Sequence, residues 1–194
     1  EVGADYSKRR LRGKRYFNAL LETVEEIPES VKELLKLSRA GFEMFQATQK
    51  KLVKALRTNE LIQDRVRRLM TIQGIGEVTA LTWVLEIGDP SRFVSLRKAV
   101  SYCGLCSAQR QSAGKEQRGP ISKKRNKHLQ TMLIEAAKIA PYWNPKLAVF
   151  HERELKKGNR NRATLAVARK LVAYMMAVDK SCSDFLVEEE QKAA

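Results

Sequence analysis

Soft metal ligands are scarce in this chain, whose 194 residues include three cysteines and two histidines. Cys103-x-x-Cys106 has the spacing of half a zinc site, but Cys182 and His128 stand alone, which argues against a structural zinc. The thiols read as the reduced cysteines of a cytoplasmic protein. His151 lies among charged residues and reads as a surface group. Carboxylates are no better grouped: Glu86, Asp89 and Glu116 read as surface or capping groups, so no complete magnesium site is expected within the chain and no metal ligands are assigned. No apolar run approaches the roughly 18 residues that span a bilayer, and Arg169 and Lys170 cut the most apolar C-terminal stretch, so no membrane partner is expected. Nor is there a signal peptide. A dinucleotide-binding loop is excluded as well. Gly74 and Gly76 lack the third glycine, since Thr79 stands there, and the segment before them is helical in pattern.

Positive charge is what the chain has in excess: 37 Lys and Arg against 22 Asp and Glu give a net charge of +15. That balance points to a polyanionic partner. The 43% hydrophobic content suffices for one modest core of about 100 to 150 residues plus an extension. The periodicities are helical throughout, which predicts an all-α chain: a long coiled-coil-like extension followed by a compact helical domain.

Taken in order, residues 1–15 are mostly charged and read as a basic linker or an arm that touches a nucleic-acid backbone. The first residue is glutamate rather than methionine, and the chain reads as the C-terminal part of a longer protein. Residues 16–65 form a helical dimerisation segment. Tyr16 to Ile27 is one short helix ended by Pro28; from Glu29, Leu35, Phe42, Gln49 and Leu56 step by seven with Ser38, Phe45 and Leu52 between them, a heptad seam that pairs with a second helix, either that of another subunit or the Tyr16 helix. Ser30 reads as its cap, with Glu33 at the capping-box position, and Thr58-Asn59-Glu60 as its end. Residues 66–186 form the compact domain, and 187–194 an acidic tail.

Within the compact domain, Leu69 and Ile72 close one helix, Gly74-Ile75-Gly76 makes a turn, and Ala80, Leu81, Val84 and Leu85 open another. This is the helix-hairpin-helix pattern, whose outward backbone N–H groups at Gly74, Ile75 and Gly76 suit a phosphate. Gly88-Asp89-Pro90 ends the second helix, Ser91 caps a short one, and Ser95 to Tyr102 is another. After Gly104-Leu105 the apolar pattern stops. Ser107 to Arg118 reads as an exposed polar loop around Ser112, with Arg110, Lys115 and Arg118 beside it and Lys123, Lys124 and Arg125 beyond. A serine that attacks a phosphodiester needs such cations on the non-bridging oxygens; a serine that merely contacts a backbone would look the same. A helix over Ser122 to Lys138 would place Lys123, Lys124, Arg125, Lys127 and His128 near the loop. Pro141 to Pro145 reads as a break, with Trp143 either stacked on a base or buried between helices, the latter being commoner. Lys146 to Lys156 is a helix, Lys157 to Arg162 a basic turn in which Arg160 and Arg162 contact nucleic acid, and Thr164 to Val178 a last helix burying Leu165, Ala168, Leu171, Val172 and Met175.

The run T-I-Q-G-I-G-E-V-T-A-L, then E-I-G-D, R-F, Gly104-Leu105, and I-S-K-x-x-N-x-x-L followed by Ala136-Ala137, resembles the C-terminal transposase domain of the insertion-sequence one-ten and one-sixteen families, to which pilin-gene invertases belong. The resemblance covers roughly residues 66 to 180. It implies a DNA recombinase in which a separate RuvC-like domain holds magnesium with acidic residues, while the serine matched by Ser112 becomes transiently joined to a DNA 5′ phosphate. Arg110, Lys115, Arg118 and Lys123 are then candidate phosphate stabilisers, and Lys124, Arg125, Lys127, Arg160 and Arg162 candidate contacts. It further implies double-stranded DNA as substrate, a bridge RNA as guide in some members, a homo-oligomer (dimer or tetramer), and a prokaryotic cytoplasmic protein associated with the nucleoid when active. Without the acidic domain, this chain is expected to bind DNA but not to cut it. The rival reading is a non-catalytic nucleic-acid-binding and oligomerisation module.

Overall fold

The computed structural model describes residues 5–24, 27–112 and 115–186, with residues 109–112, 115–118 and 120 described by their backbone. The acidic tail and the first four residues of the basic arm lie outside the described residues. The chain divides into two compact units, Glu1–Leu52 and Val53–Ala194.

In the first unit, α1 (Lys14–Thr23) is followed by α2 (Glu29–Arg57), whose last turn belongs to the second unit. Pro28 supplies the N-terminal stop, its carbonyl accepting from the amides of Val31 and Lys32. Ser30 therefore lies inside the helix, so the expected cap is misplaced by the earlier start at Glu29. Arg39 is the hub of this unit: its guanidinium lies 5.4 Å from the rings of both Phe17 and Phe42, pairs with Glu43 at 2.8 Å, and donates to the Leu11 carbonyl at 3.1 Å. The cations of Arg39 and Lys14 hold the Glu43 carboxyl below its ordinary range, the Arg39 hydrogen bond contributing most. Leu34, Leu37, Phe45 and Leu52 of α2 remain exposed.

The second unit packs helices around one core. α3 (Gln63–Met70) and α4 (Glu77–Ile87) are joined by the glycine turn; α5 (Leu96–Tyr102) leads into the strands β1 (Ser107–Ser112) and β2 (Lys115–Ile121); and α6 (Lys127–Trp143), α7 (Pro145–Lys156) and α8 (Arg160–Ser181) complete it. α8 packs on α3, α5, α6 and α7, so it is the central helix, and α6 packs on α4, α7 and α8. Along α8, Ala168, Leu171, Val172 and Met175 are buried, as their spacing predicts, and Leu165 is partly buried. The body is all-α, as expected, and the two strands form one antiparallel hairpin.

A buried ionic knot ties this core. Asp179 on α8 accepts from Arg65 on α3 through both carboxylate oxygens, at 2.5 and 2.6 Å, and from the Trp83 indole on α4 at 2.9 Å. Its side chain is 1% exposed. Burial of a carboxylate is tolerated only when it is paired and hydrogen-bonded, and Arg65 with Trp83 meets both conditions.

α1 spans Lys14–Thr23 rather than Tyr16 to Ile27, and in the second unit three further boundaries differ from the sequence reading, each for a local reason. α6 starts at Lys127, not Ser122, because Asn126 caps it by accepting from the Leu129 amide at 3.0 Å. It also runs through Pro141 to Trp143, since a proline near the last turn forfeits little of the hydrogen-bond ladder. α8 starts at Arg160, with Asn159 as its cap, so the basic turn is partly the first turn of a helix.

Candidate nucleic-acid interface

The glycine turn between α3 and α4 is compact and used from within. Ile75 is buried, and its amide donates to the Ile72 carbonyl at 2.9 Å, so neither its side chain nor its N–H faces outward. Gly74 has φ +93°, and a Cβ there would lie 2.5 Å from the Ala140 Cβ and 2.6 Å from its Cα. Glycine is thus required at position 74 by backbone conformation and by contact with α6. Gly76 differs: nothing lies within 4 Å of a Cβ placed there, and it precedes α4 without a side-chain cap. The first N–H groups of α4, which a helix leaves without intrahelical partners, are the part of this turn on which the phosphate reading rests. Glu77 in the same turn is ion-paired with Arg57 at 3.5 Å, which offsets its negative charge, although its Oε1 makes no hydrogen bond of good geometry.

The expected polar loop is a β-hairpin. Its register sets Ser107 opposite Ile121, then after a bulge Gln109 opposite Arg118, Arg110 opposite Gln117, Gln111 opposite Glu116 and Ser112 opposite Lys115. Ser112 is therefore the last residue of β1, at the hairpin tip, with Lys115 as its cross-strand partner. In this backbone register Arg110 stands two positions before Ser112 on the same strand, and Arg118 pairs with Gln109. The loop reading missed the strands because S-A-Q-R-Q-S and K-E-Q-R-G-P-I show no apolar alternation in sequence.

The base of the hairpin is tightly held. Gln130 donates to the Gly104 carbonyl at 2.6 Å and Arg169 to the Leu105 carbonyl at 2.8 Å, while the Ser122 amide closes onto Cys106 at 3.0 Å. Gly104 has φ +70°, and a Cβ there would run into the Arg125 side chain. Arg125, expected to touch nucleic acid, spends its stem on that glycine and a guanidinium N–H on the Ser122 carbonyl at 3.3 Å. Lys123, Lys124 and Lys127 are exposed, the first two in the connection before α6. Asn126 joins three elements: it caps α6, donates to Glu86 on α4 at 2.6 Å, and its amide donates to the Tyr102 carbonyl at 3.0 Å. Glu86, read as a surface group, is thus a buttress. Arg92 lies 4.6 Å from the rings of Phe93 and Tyr102, and Asp89 caps the turn at Pro90–Arg92 by accepting from the Ser91 amide, a role expected of Ser91. The Ser91 side chain and amide together hold the Asp89 carboxyl below its ordinary range. Burial, with the neighbouring Cys106 adding to it, pushes the Cys103 thiol up to about 12.

The candidate contacts fall into two groups at opposite ends of α6. Gly104, Asn126 and the serine hairpin lie at its start; the Gly74 turn packs on Ala140 near its end. At 1.5 Å per residue, Asn126 and Ala140 are roughly 20 Å apart. Arg160 and Arg162 are exposed on the first turn of α8, which packs with α6 and α7. Arg162 folds back toward Gly158 and donates to the Lys157 carbonyl at 3.5 Å. Trp143, expected in the core, is 67% exposed: it lies on the solvent side of the last turn of α6, while Ala140 before it and Asn144 after it are buried. Among the described residues no three His, Cys, Asp or Glu side chains gather to hold a metal, and no helix is long and apolar enough to cross a membrane.

Residues 66–152 match the model of the Transposase IS116/IS110/IS902 family. A Pseudomonas aeruginosa protein named "Probable family 20 transposase" is 29% identical over 132 residues, covering 66% of this chain and 39% of that one. The transposase for insertion sequence element IS1328 of Yersinia enterocolitica is 31% identical over 118 residues, 58% of this chain and 35% of that one. The pilin gene-inverting protein of Moraxella bovis is 31% identical over 120 residues, 60% of this chain and 37% of that one. The chain thus spans well under half the length of these relatives. Within the motifs E-I-G-D, R-F and I-S-K-x-x-N, Glu86 is the shared partner: Asn126 donates to its carboxylate at 2.6 Å and Arg92 to its carbonyl at 3.4 Å.

Proposed function

We propose that this chain is the C-terminal part of an insertion-sequence transposase that cuts and rejoins double-stranded DNA through Ser112. The observation that carries the reading is the place of Ser112: the tip of a hairpin, opposite Lys115 and two positions after Arg110, on a base pinned by Gln130, Arg169 and Asn126. A tip can enter the groove between phosphates, and a pinned base fixes its aim. In the proposed step the Ser112 hydroxyl oxygen forms a bond to phosphorus while the bond from phosphorus to the 3′ oxygen breaks. The proton lost by the serine ends on that 3′ oxygen, and the 5′ phosphate stays on the protein until another 3′ hydroxyl reverses the exchange. Arg110 and Lys115 offset charge on the non-bridging oxygens, with Lys123 as an outer contact. Arg118, paired with Gln109 rather than Ser112, is assigned to the DNA backbone.

The first turn of α4 holds a second phosphate, roughly 20 Å from the hairpin base. Every one of these contacts is to backbone and indifferent to base, so a guide that pairs with DNA, such as a bridge RNA, would supply sequence choice. Magnesium belongs to acidic residues outside this chain, and by itself the chain binds DNA in the prokaryotic cytoplasm, at the nucleoid, without cutting it. The exposed apolar row of α2 pairs with a second copy in a dimer or tetramer.

The test uses the full-length protein with magnesium, RNA transcribed beside its gene, and a suicide DNA nicked near the junction. A denaturing gel and peptide mass spectrometry should find DNA attached to the Ser112 peptide and none in Ser112→Ala. Strand cleavage that persists without any adduct would make the chain a binding and oligomerisation module and overturn the nucleophile.

A further inference from the structure

The chain has two tryptophans, and they are treated oppositely: Trp83 is fully buried, whereas Trp143 is 67% exposed and its neighbour Tyr142 79% exposed. Tyr142 also lines a cleft of about 270 Å³ between the end of α6, α7 and the start of α8, together with Lys138, His151, Glu152 and Arg160. Large aromatic rings left in water forgo the burial that normally places them, so a pair of them beside a cleft marks a surface that something covers. The surrounding charge says what. Lys138, which also pairs with Glu135, and Arg160 line the cleft against one acid, Glu152, in a chain of net charge +15, and an anion is the complementary partner. Anionic backbone and flat apolar rings occur together in nucleic acid. In a duplex, however, the faces of the bases are already stacked, so an exposed ring can take only a base that is unpaired.

We propose that Tyr142 and Trp143 form a stacking platform for an unpaired nucleotide of single-stranded DNA or RNA. The base lies against Tyr142 in the cleft, its edge meets Glu152 and His151, and Lys138 and Arg160 face the adjoining phosphates. The site is separate from the serine hairpin: it adjoins Ala140, at the end of α6 against which the Gly74 turn packs. A duplex held by that turn would present its displaced or frayed strand to the platform. This goes beyond strand transfer at Ser112 and does not depend on it.

The two tryptophans make the test direct, since Trp143 reports from the surface while Trp83 stays sheltered. Single-stranded oligonucleotides of about ten residues, as DNA and as RNA, and a duplex of the same sequence are titrated into the full chain while tryptophan emission is followed. Saturable quenching by a single strand, stronger than by the duplex, is expected. Tyr142→Ala and Trp143→Ala, compared with the parent by the anisotropy of a fluorescently labelled oligonucleotide because the second removes the emitting ring, should each weaken single-strand binding about tenfold, with little change for the duplex, and leave thermal unfolding unmoved because both side chains are exposed. Ser112→Ala should bind as the parent does, which separates this site from the nucleophile. The proposal is overturned if single strand and duplex quench alike, or if both aromatic variants keep single-strand affinity within about a factor of two. A change in oligomeric mass on Trp143→Ala with unchanged single-strand affinity would assign the patch to a second copy instead. A preference between the DNA and RNA strands would say which of the two occupies it.

Discussion

Asp179 is a charged residue buried by two partners that come from elsewhere in the chain. Removing its carboxylate would leave the buried Trp83 indole and the part-buried Arg65 guanidinium without their acceptor. Asp179→Ala should therefore cost about 3–5 kcal/mol in urea unfolding, and Asp179→Asn, which keeps one acceptor oxygen, should cost less. A loss under about 1 kcal/mol would mean the knot contributes little. Cys103 supports a pH prediction. Its thiol is pushed up to about 12 in the fold from an ordinary 9.0, so above pH 9.0 the unfolded chain ionises there first. Stability contributed by this group is whole below pH 9.0 and falls away as pH rises toward about 12. Cys103→Ala should show a shallower loss of stability over that window, measured as unfolding free energy against pH relative to the parent.

At the scale of elements, what ties helix to helix is a set of short-range caps. Asn126→Ala removes the α6 cap and the Glu86 contact at once and should lower stability by about 1–3 kcal/mol. Because the same residue holds the exit of the hairpin, DNA strand transfer by the full-length protein should fall further than stability does. In the α3–α4 turn, Gly74→Ala meets both a positive φ and Ala140, for a loss of about 2–4 kcal/mol. Gly76→Ala, in open space, should unfold within about 1 kcal/mol of the parent. Gly76→Asp would add a negative charge where a phosphate is proposed, and should weaken duplex binding while leaving the melt almost unchanged. Much of this layer was legible in the sequence. Pro28 and Thr58-Asn59 bracket α2, and the apolar spacing of α8 marks its buried side. The start of α6 was not, since Ser122 and Asn126 are both plausible caps and only the Glu86 contact across the fold distinguishes them. The hairpin was hidden for lack of apolar alternation. Arg65 and Asp179, 114 positions apart, carry no local sign of each other. The site proposed at Ser112 rests on the sequence reading, while Gln130 and Arg169, which hold the base of the hairpin through the carbonyls of Gly104 and Leu105, have no motif that announces the role.

For the molecule as a whole, the first unit offers Phe45 and Leu52 to water, at 69% and 59% exposure. Pairing with a second copy would cover them. Sedimentation at tens of micromolar should find a dimer or larger for the parent and a monomer for Phe45→Glu with Leu52→Glu; an unchanged mass would remove α2 as the pairing surface. The second unit carries its nucleic-acid candidates at the two ends of α6, and a helix is a screw. Each residue inserted between Asn126 and Ala140 would advance one end by about 1.5 Å and also rotate it by about 100°. The distance between the serine hairpin and the glycine turn therefore cannot be tuned by single insertions without turning one of them away from the DNA that the other faces. Related chains that differ in this spacing should differ by about whole helical turns, and the step size of that variation is set by the backbone rather than by the substrate.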